Sequence, residues 1–149
     1  MTSIRDRRPE DLDACVAALR LVHAADAYPS VWPSDPARWL KPRTLVHALV
    51  AADGPAVYGH LLLCRTDVGL EISRLFVAPS ARGAGLARSL LAAARARAGD
   101  ERLDLEVADY NRNARALYER LGWQPLDSYR ADWPAPNGEP ALVHRFTHP

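Results

Sequence analysis

Residues Leu70 to Leu91 pass from an apolar, strand-like stretch through a turn holding Pro79, Gly83 and Gly85 into a helix-like stretch. Few junctions limit a chain more. The two glycines leave bare backbone where the helix begins, so amide N–H groups without a partner inside the helix point outward, backed by the positive end of its dipole. Such a turn seats an anion, a phosphate above all.

Three phosphate-binding patterns compete for the turn. A Walker loop requires Gly-x-x-x-x-Gly-Lys-Ser/Thr, and the only lysine of the chain is Lys41, which excludes it. A dinucleotide fingerprint requires a third small residue where Arg88 stands, and an arginine there spoils close helix–strand packing. The acyl-CoA pyrophosphate pattern, Arg/Gln-x-x-Gly-x-Gly/Ala, is met at every fixed position by Arg82-Gly83-Ala84-Gly85-Leu86-Ala87.

The rest of the chain is read around this turn. Ser3 to Arg7 suits a short strand, and Pro9, Glu10 and Asp11 open a helix whose Leu12, Cys15, Val16, Leu19 and Val22 recur at helical spacing to about Ala25. From Asp26 to Pro42 four prolines and the aromatics Tyr28, Trp32 and Trp39 forbid a long helix, although Asp35-Pro36 can cap a short one. Two readings stand for this segment: a loop pinned to the core, or one wall of a small-molecule site. Thr44–Ala51 and Ala56–Cys64 read as a hairpin about Asp53-Gly54-Pro55, followed by a strand Leu70–Val77 that runs into the turn. A helix Leu86–Ala98 stopped by Gly99 leads to Arg102–Asp109, whose alternation predicts a half-buried strand. This strand–helix–strand order favours a right-handed crossover with parallel neighbours. A helix Asn113–Leu121 and the strands Trp123–Trp133 and Ala141–Thr147 complete the pass.

A length of 149 residues with 48% hydrophobic and 25% charged residues fits one soluble globular domain, residues 1–149, with no internal boundary. A net charge of +1 makes no electrostatic case for nucleic acid or membrane as partner. The N-terminal residues hold no long apolar run, so neither a signal peptide nor a transmembrane segment is expected, and the default location is cytoplasmic. Cys15 and Cys64 read as two buried thiols, and the five histidines show no metal spacing.

A second motif stands in Asn111-Arg112-Asn113-Ala114-Arg115-Ala116-Leu117-Tyr118, followed by Gly122-Trp123. With the Arg82–Ala87 loop and the strand between them, the chain resembles the GNAT family of N-acetyltransferases, closely over Leu70 to Trp123 and in element order elsewhere. The resemblance implies an α/β fold with a mixed six- to seven-stranded sheet and about four helices. It implies acetyl-CoA as co-substrate and acyl transfer to an amine, most naturally a small-molecule amine, by direct attack in a ternary complex. It gives the loop residues Arg82, Gly83, Ala84, Gly85, Leu86, Ala87 and Arg88 to the diphosphate, and the backbone of Leu75, Phe76 and Val77 to the pantetheine. Asn111 would contact the same arm, leaving Asn113 as helix cap. Tyr118 would give a proton to the leaving thiolate, and Glu71 would act as base if burial raises its pKa, or merely face solvent. Neither cysteine has a nucleophile's setting, so no acyl-enzyme is expected. A non-catalytic acyl-CoA-binding module, or another nucleotide-binding α/β protein, are the competing classes; a monomer and a homodimer are both compatible.

Overall fold

The computed structural model describes residues 1–149. Seven strands form one mixed sheet: β1 (Ser3–Asp6), β2 (Leu45–Asp53), β3 (Ala56–Arg65), β4 (Leu70–Val77), β5 (Leu103–Ala108), β6 (Gln124–Pro134) and β7 (Pro140–Thr147), in the order β1-β2-β3-β4-β5-β7-β6. Only β4 and β5 are parallel, the pair joined by the strand–helix–strand unit read from sequence. Four α-helices accompany the sheet: α1 (Leu12–Asp26), α2 (Pro36–Trp39), α3 (Leu86–Ala98) and α4 (Arg112–Arg120). No helix is long and apolar enough to cross a membrane.

The alternation of each central strand supplies two cores. Leu49 and Ala51 of β2 and Leu61 and Leu63 of β3 face α3, meeting Leu90, Leu91 and Ala94, and this core continues to Tyr118, Trp123 and Phe146. The intervening Val50 and Ala52 face α1, meeting Cys15, Leu19 and Val22. A period of two in the strands therefore buries both sheet faces. Both cysteines are buried free thiols, as read from their isolation in sequence.

One strand breaks its own period. In β4, Leu70 and Ile72 lie in the α3-side core, yet Phe76, at an even spacing from both, lies in the α1-side core, while Leu75 packs on the α3 side. The register explains it: His60 pairs with Phe76 and Leu62 with Ser73, so Arg74 and Leu75 together oppose Leu61. This is a β-bulge, and one extra residue exchanges the faces of everything beyond it. The bulge residue Arg74 has φ +49°, a left-handed conformation uncommon for a residue with a side chain. An uninterrupted strand was the sequence expectation for Leu70–Val77.

The half-buried character expected for β5 is also corrected. Every residue from Leu103 to Ala108 except Glu106 is buried, because β5 is central and covered on both faces. Asp104 is accommodated there by Arg102, whose Nε donates to both carboxylate oxygens at 3.1 and 3.0 Å.

The start of β5 is locked to the β3–β4 turn. Leu70 N–H donates to Arg102 O at 2.9 Å, and Gly69 approaches so closely that a Cβ there would lie 2.4 Å from the same oxygen. Backbone on both sides leaves no room to yield, so Gly69→Ala is expected to destabilise the protein by about 2 kcal/mol, the usual scale of overpacking. Urea denaturation of the two proteins measures it; equal midpoints would show that the turn relaxes freely.

Candidate active site

The parallel pairing of β4 and β5 is short. It joins Leu70 to Leu103, Glu71 to Asp104 and Ile72 to Leu105, and then stops. Beyond it β4 follows β3 as far as Val77, whereas β5 follows β7 as far as Ala108. The two strands part, and their facing edges lose the ladder that would satisfy them. A cavity of about 1060 Å³ occupies the opening, walled by Ser73 to Val77 on one side and Leu105 to Ala108 on the other.

At the end where β4 runs out, the wall is the glycine turn. Gly83 (φ +87°) and Gly85 (φ +74°) have left-handed backbones, with open space where a side chain would start. The bond from Ser89 N–H to Gly85 O, 3.0 Å, closes the first turn of α3, so the N–H groups of Leu86, Ala87 and Arg88 lie ahead of any intrahelical acceptor. Gly85 offers no side-chain cap to occupy them. Arg82, Gly83, Gly85, Leu86, Ala87 and Arg88 all line the cavity; Ala84, expected with them, is exposed and lies outside the wall. Arg82 is ion-paired with Asp26 and donates to Val77 O at 3.3 and 3.4 Å, so its fork is tied back against α1 and β4.

Beside the cleft stands α4. Its N-cap is Asn111, not the expected Asn113, because Arg115 N–H reaches Asn111 O at 3.1 Å and closes the first turn two residues earlier. The Asn111 side chain makes no capping bond and lines the cavity. Tyr118 also lines it, buried against Trp123 and Phe146 with ring centroids 6.2 and 6.4 Å away. Burial, with the nearby Tyr28 phenol, pushes the Tyr118 hydroxyl far above its ordinary pKa and keeps it protonated. The junction from β5 to α4 is braced from outside: Asp109 accepts from Arg115 and meets His144 Nε2, both at 2.7 Å, while His144 Nδ1 lies 2.7 Å from Ser128 Oγ.

The opposite end of the cavity carries acids and aromatics. Glu71 is half-buried, and desolvation together with the carboxylates Glu106 and Asp104 raises its pKa, partly opposed by Arg145 and Arg74. Tyr28 and Trp39, 6.2 Å apart edge to face, contribute to the wall with Pro29, Ser30, Tyr110 and Trp133. Burial raises the Tyr28 hydroxyl to about 12. The proline-rich segment is thus both readings at once, a pinned loop and a wall. Trp32, read with Tyr28 and Trp39, turns away to pack on His23 and beneath Arg20. Arg74, Glu106, Tyr110 and Trp133 were not singled out from sequence; for Arg74 and Glu106 a charge inside an otherwise apolar strand was the available signal.

Residues 18–123, which include the whole cleft wall from β4 to α4, match the Acetyltransferase (GNAT) family. The chain belongs to the GNAT family. Its fold is shared with the ribosomal-protein-S18-alanine N-acetyltransferase from Escherichia coli, at TM-score 0.81 and 21% identity over 100% of this chain and 94% of that one. Arabidopsis thaliana NAA60, solved with a bisubstrate analogue, gives 0.79 and 16% over 99% and 97% of the two chains. A phosphinothricin acetyltransferase from Sinorhizobium meliloti, solved with AcCoA, gives 0.78 and 20% over 99% and 88%.

In this GNAT chain the bulge that shapes the cleft is held by a buried histidine. His60 is fully buried and stacks on Phe76 at 4.9 Å; its Nδ1 donates to Arg74 O at 2.9 Å, and its Nε2 accepts from Arg7 at 2.9 Å. Arg7 in turn donates to Leu40 O at 2.8 Å. Burial and the two guanidinium groups lower the His60 pKa to about 3, with the Arg74 carbonyl opposing in part. The folded chain therefore refuses a proton that the unfolded chain accepts, so stability is lost as pH falls from about 6.5 toward about 3. Urea titrations at pH 7 and pH 4 are expected to show a smaller loss for His60→Gln than for the native chain. An identical loss would mean that His60 does not carry the dependence.

Proposed function

We propose that this protein is an N-acetyltransferase that moves the acetyl group of acetyl-CoA to a primary amine. Acetyl-CoA is the co-substrate that goes with its family. The observation that carries the reading is the parting of β4 and β5 into one cleft with uncapped amides at one end and Tyr118 and Glu71 along it. The whole chain, residues 1–149, acts as one transferase domain.

The chemistry sets three demands. The attacking amine must be neutral, the carbonyl needs a donor as its oxygen becomes negative, and the thiolate leaves more readily with a proton. The amides of Leu86, Ala87 and Arg88 receive the diphosphate, with Gly83 and Gly85 keeping that approach open and Arg88 at its rim. The pantetheine lies along the free edge of Leu75, Phe76 and Val77 as an added strand, each backbone bond contributing about 1 kcal/mol. Asn111, its amide uncommitted, faces the same arm. Tyr118, kept protonated by burial, donates to the sulfur as the C–S bond breaks. Glu71, its pKa raised, takes the amine's proton directly or through water. The neutral amine nitrogen attacks the thioester carbonyl, the C–N bond forms as the C–S bond breaks, the amine's proton passes to Glu71 and that of Tyr118 to the departing sulfur, and exchange through water returns the proton on Glu71 to Tyr118. No covalent enzyme intermediate is involved: Cys15 is buried and its thiol is pushed up to about 12, far from a thiolate.

A thermal-shift comparison of acetyl-CoA, CoA, NAD and ATP, followed by an amine panel read out as free thiol, tests the assignment. Stabilisation by the two CoA species with thiol release is expected. Binding without release from any amine would reduce the protein to an acyl-CoA-binding module, and stabilisation by NAD or ATP alone would replace the reading altogether. Tyr118→Phe should lower kcat about 100-fold, the scale of one general acid, with CoA affinity within about twofold of native. Glu71→Gln should lower kcat/KM and remove the acidic limb, which in the native protein lies above the ordinary carboxylate range because protonating Glu71 abolishes its basicity.

A further inference from the structure

The acceptor end of the cleft holds a cation that forms no salt bridge. Arg74 lines the cavity, and its guanidinium lies 4.3 Å over the Trp39 ring. Its one hydrogen bond within the chain is from a terminal nitrogen to Ser73 Oγ at 2.8 Å, while its Nε is buried with no partner. Arg5, by contrast, is bound to Asp11 at 2.7 and 2.9 Å; Arg115 is bound to Asp109 at 2.7 Å although its Nε is likewise unpartnered, and Arg7 is met by Leu40 O and His60 in place of a carboxylate. Arg74 opposes in part the upward pKa shifts of Tyr28 and Glu71, which line the same cavity.

The backbone says the same thing independently. Arg74 occupies the left-handed bulge position, which a residue with a side chain adopts at a cost that glycine does not bear. The buried His60–Arg7 pair sustains that conformation by holding the Arg74 carbonyl. A planar fork with free donors, kept in place by an aromatic face and a strained backbone, is suited to an oxyanion taken bidentately.

We propose that Arg74 is an anion subsite for the acceptor, and that the acceptor is a small amine carrying its own carboxylate or comparable oxyacid group, as a free amino acid does. This rests on the transferase reading. Trp39 and Tyr28 would cover the acceptor's apolar part, Arg74 its anion, and the Glu71–Glu106 side its amine before deprotonation. An acceptor amine at a protein N-terminus has no carboxylate of its own beside it and would leave the fork unanswered.

The test uses pairs that differ in the anion, phenylalanine against phenylalaninamide and 4-aminobutyrate against 4-aminobutyramide, with acetyl-CoA and thiol release as readout and rates compared per neutral amine, because an α-amide lowers the pKa of the neighbouring amine. Each acid is expected to exceed its amide in kcat/KM by about tenfold or more, the worth of one charge-assisted pair. In Arg74→Asn, which keeps a residue tolerant of the left-handed backbone, the ratio should fall to near one, and Arg74→Lys should recover part of it. Equal rates for acid and amide in the native protein, or a ratio untouched in Arg74→Asn, would overturn the subsite. If no amine releases thiol, the transferase reading fails separately. Calorimetry of the CoA-loaded protein with N-acetylphenylalanine and N-acetylphenylalaninamide still decides the subsite: preference for the acid supports it, and equal or absent binding sinks it.

Discussion

The structure depends on a ladder that ends early. β4 and β5 share three paired positions and then separate, each retaining its antiparallel partner on the far side. Fully zipped, the two strands would satisfy their edges and leave no cleft. Parted, they expose backbone donors and acceptors that a dry interior would penalise by one to three kcal/mol apiece. The edges are therefore tolerable only against water or against a ligand able to act as a strand. The lock between Gly69 and Arg102 fixes the point from which the strands diverge, so the position of the opening is set by backbone contact at its base.

The bulge at Arg74 makes the divergence useful. A bulge increases local twist and exchanges the faces of the residues beyond it. Phe76 thereby packs beneath α1 and against His60, Leu75 packs toward α3, and β4 is steered along β3 while β5 continues with β7. The same residue that bends the strand also supplies a guanidinium to the cavity wall. His60 is kept neutral by burial between two guanidinium groups, which lets one nitrogen donate and the other accept. A charged imidazole would have to donate from both nitrogens and would face Arg7 as a like charge.

What sequence revealed and what it concealed divide along one physical line. The glycine turn, the α1 stripe and the hairpin were legible because each depends on neighbours within a few residues: Gly85 allows the left-handed cap of α3, and Leu12, Cys15, Leu19 and Val22 share a helical face. Asn111 and Tyr118 were singled out through the family resemblance of the second motif, and both line the cavity. The bulge was not legible, since nothing in Leu70-Glu71-Ile72-Ser73-Arg74-Leu75-Phe76-Val77 states that Arg74 and Leu75 will together oppose a single residue, Leu61, on a strand behind them. Nor was the cover over β5, whose alternation suggests one wet face; strand order in the sheet decides that, and order is a long-range property. The cap of α4 was displaced by two residues because both asparagines suit the role, and the bond from Arg115 to Asn111 chooses between them.

The two ends of the cleft ask for opposite things. At the turn, free amides and arginines favour an anion, and Arg82 is already engaged by Asp26, so the proposed diphosphate would meet backbone first and that side chain only if the pair exchanged. At the far end Glu71 and Glu106 line the wall, and burial, then Glu106 and Asp104, make Glu71 harder to ionise. In the proposed transfer an ammonium group entering there would relieve the repulsion from those acids, yet only a neutral amine could attack. A carboxylate whose pKa is raised reconciles the two, because its affinity for a proton is closer to the amine's than an ordinary glutamate's would be. Burial first, and the neighbouring acids second, raise the pKa of Glu71, and that is the basicity the proposed transfer calls for.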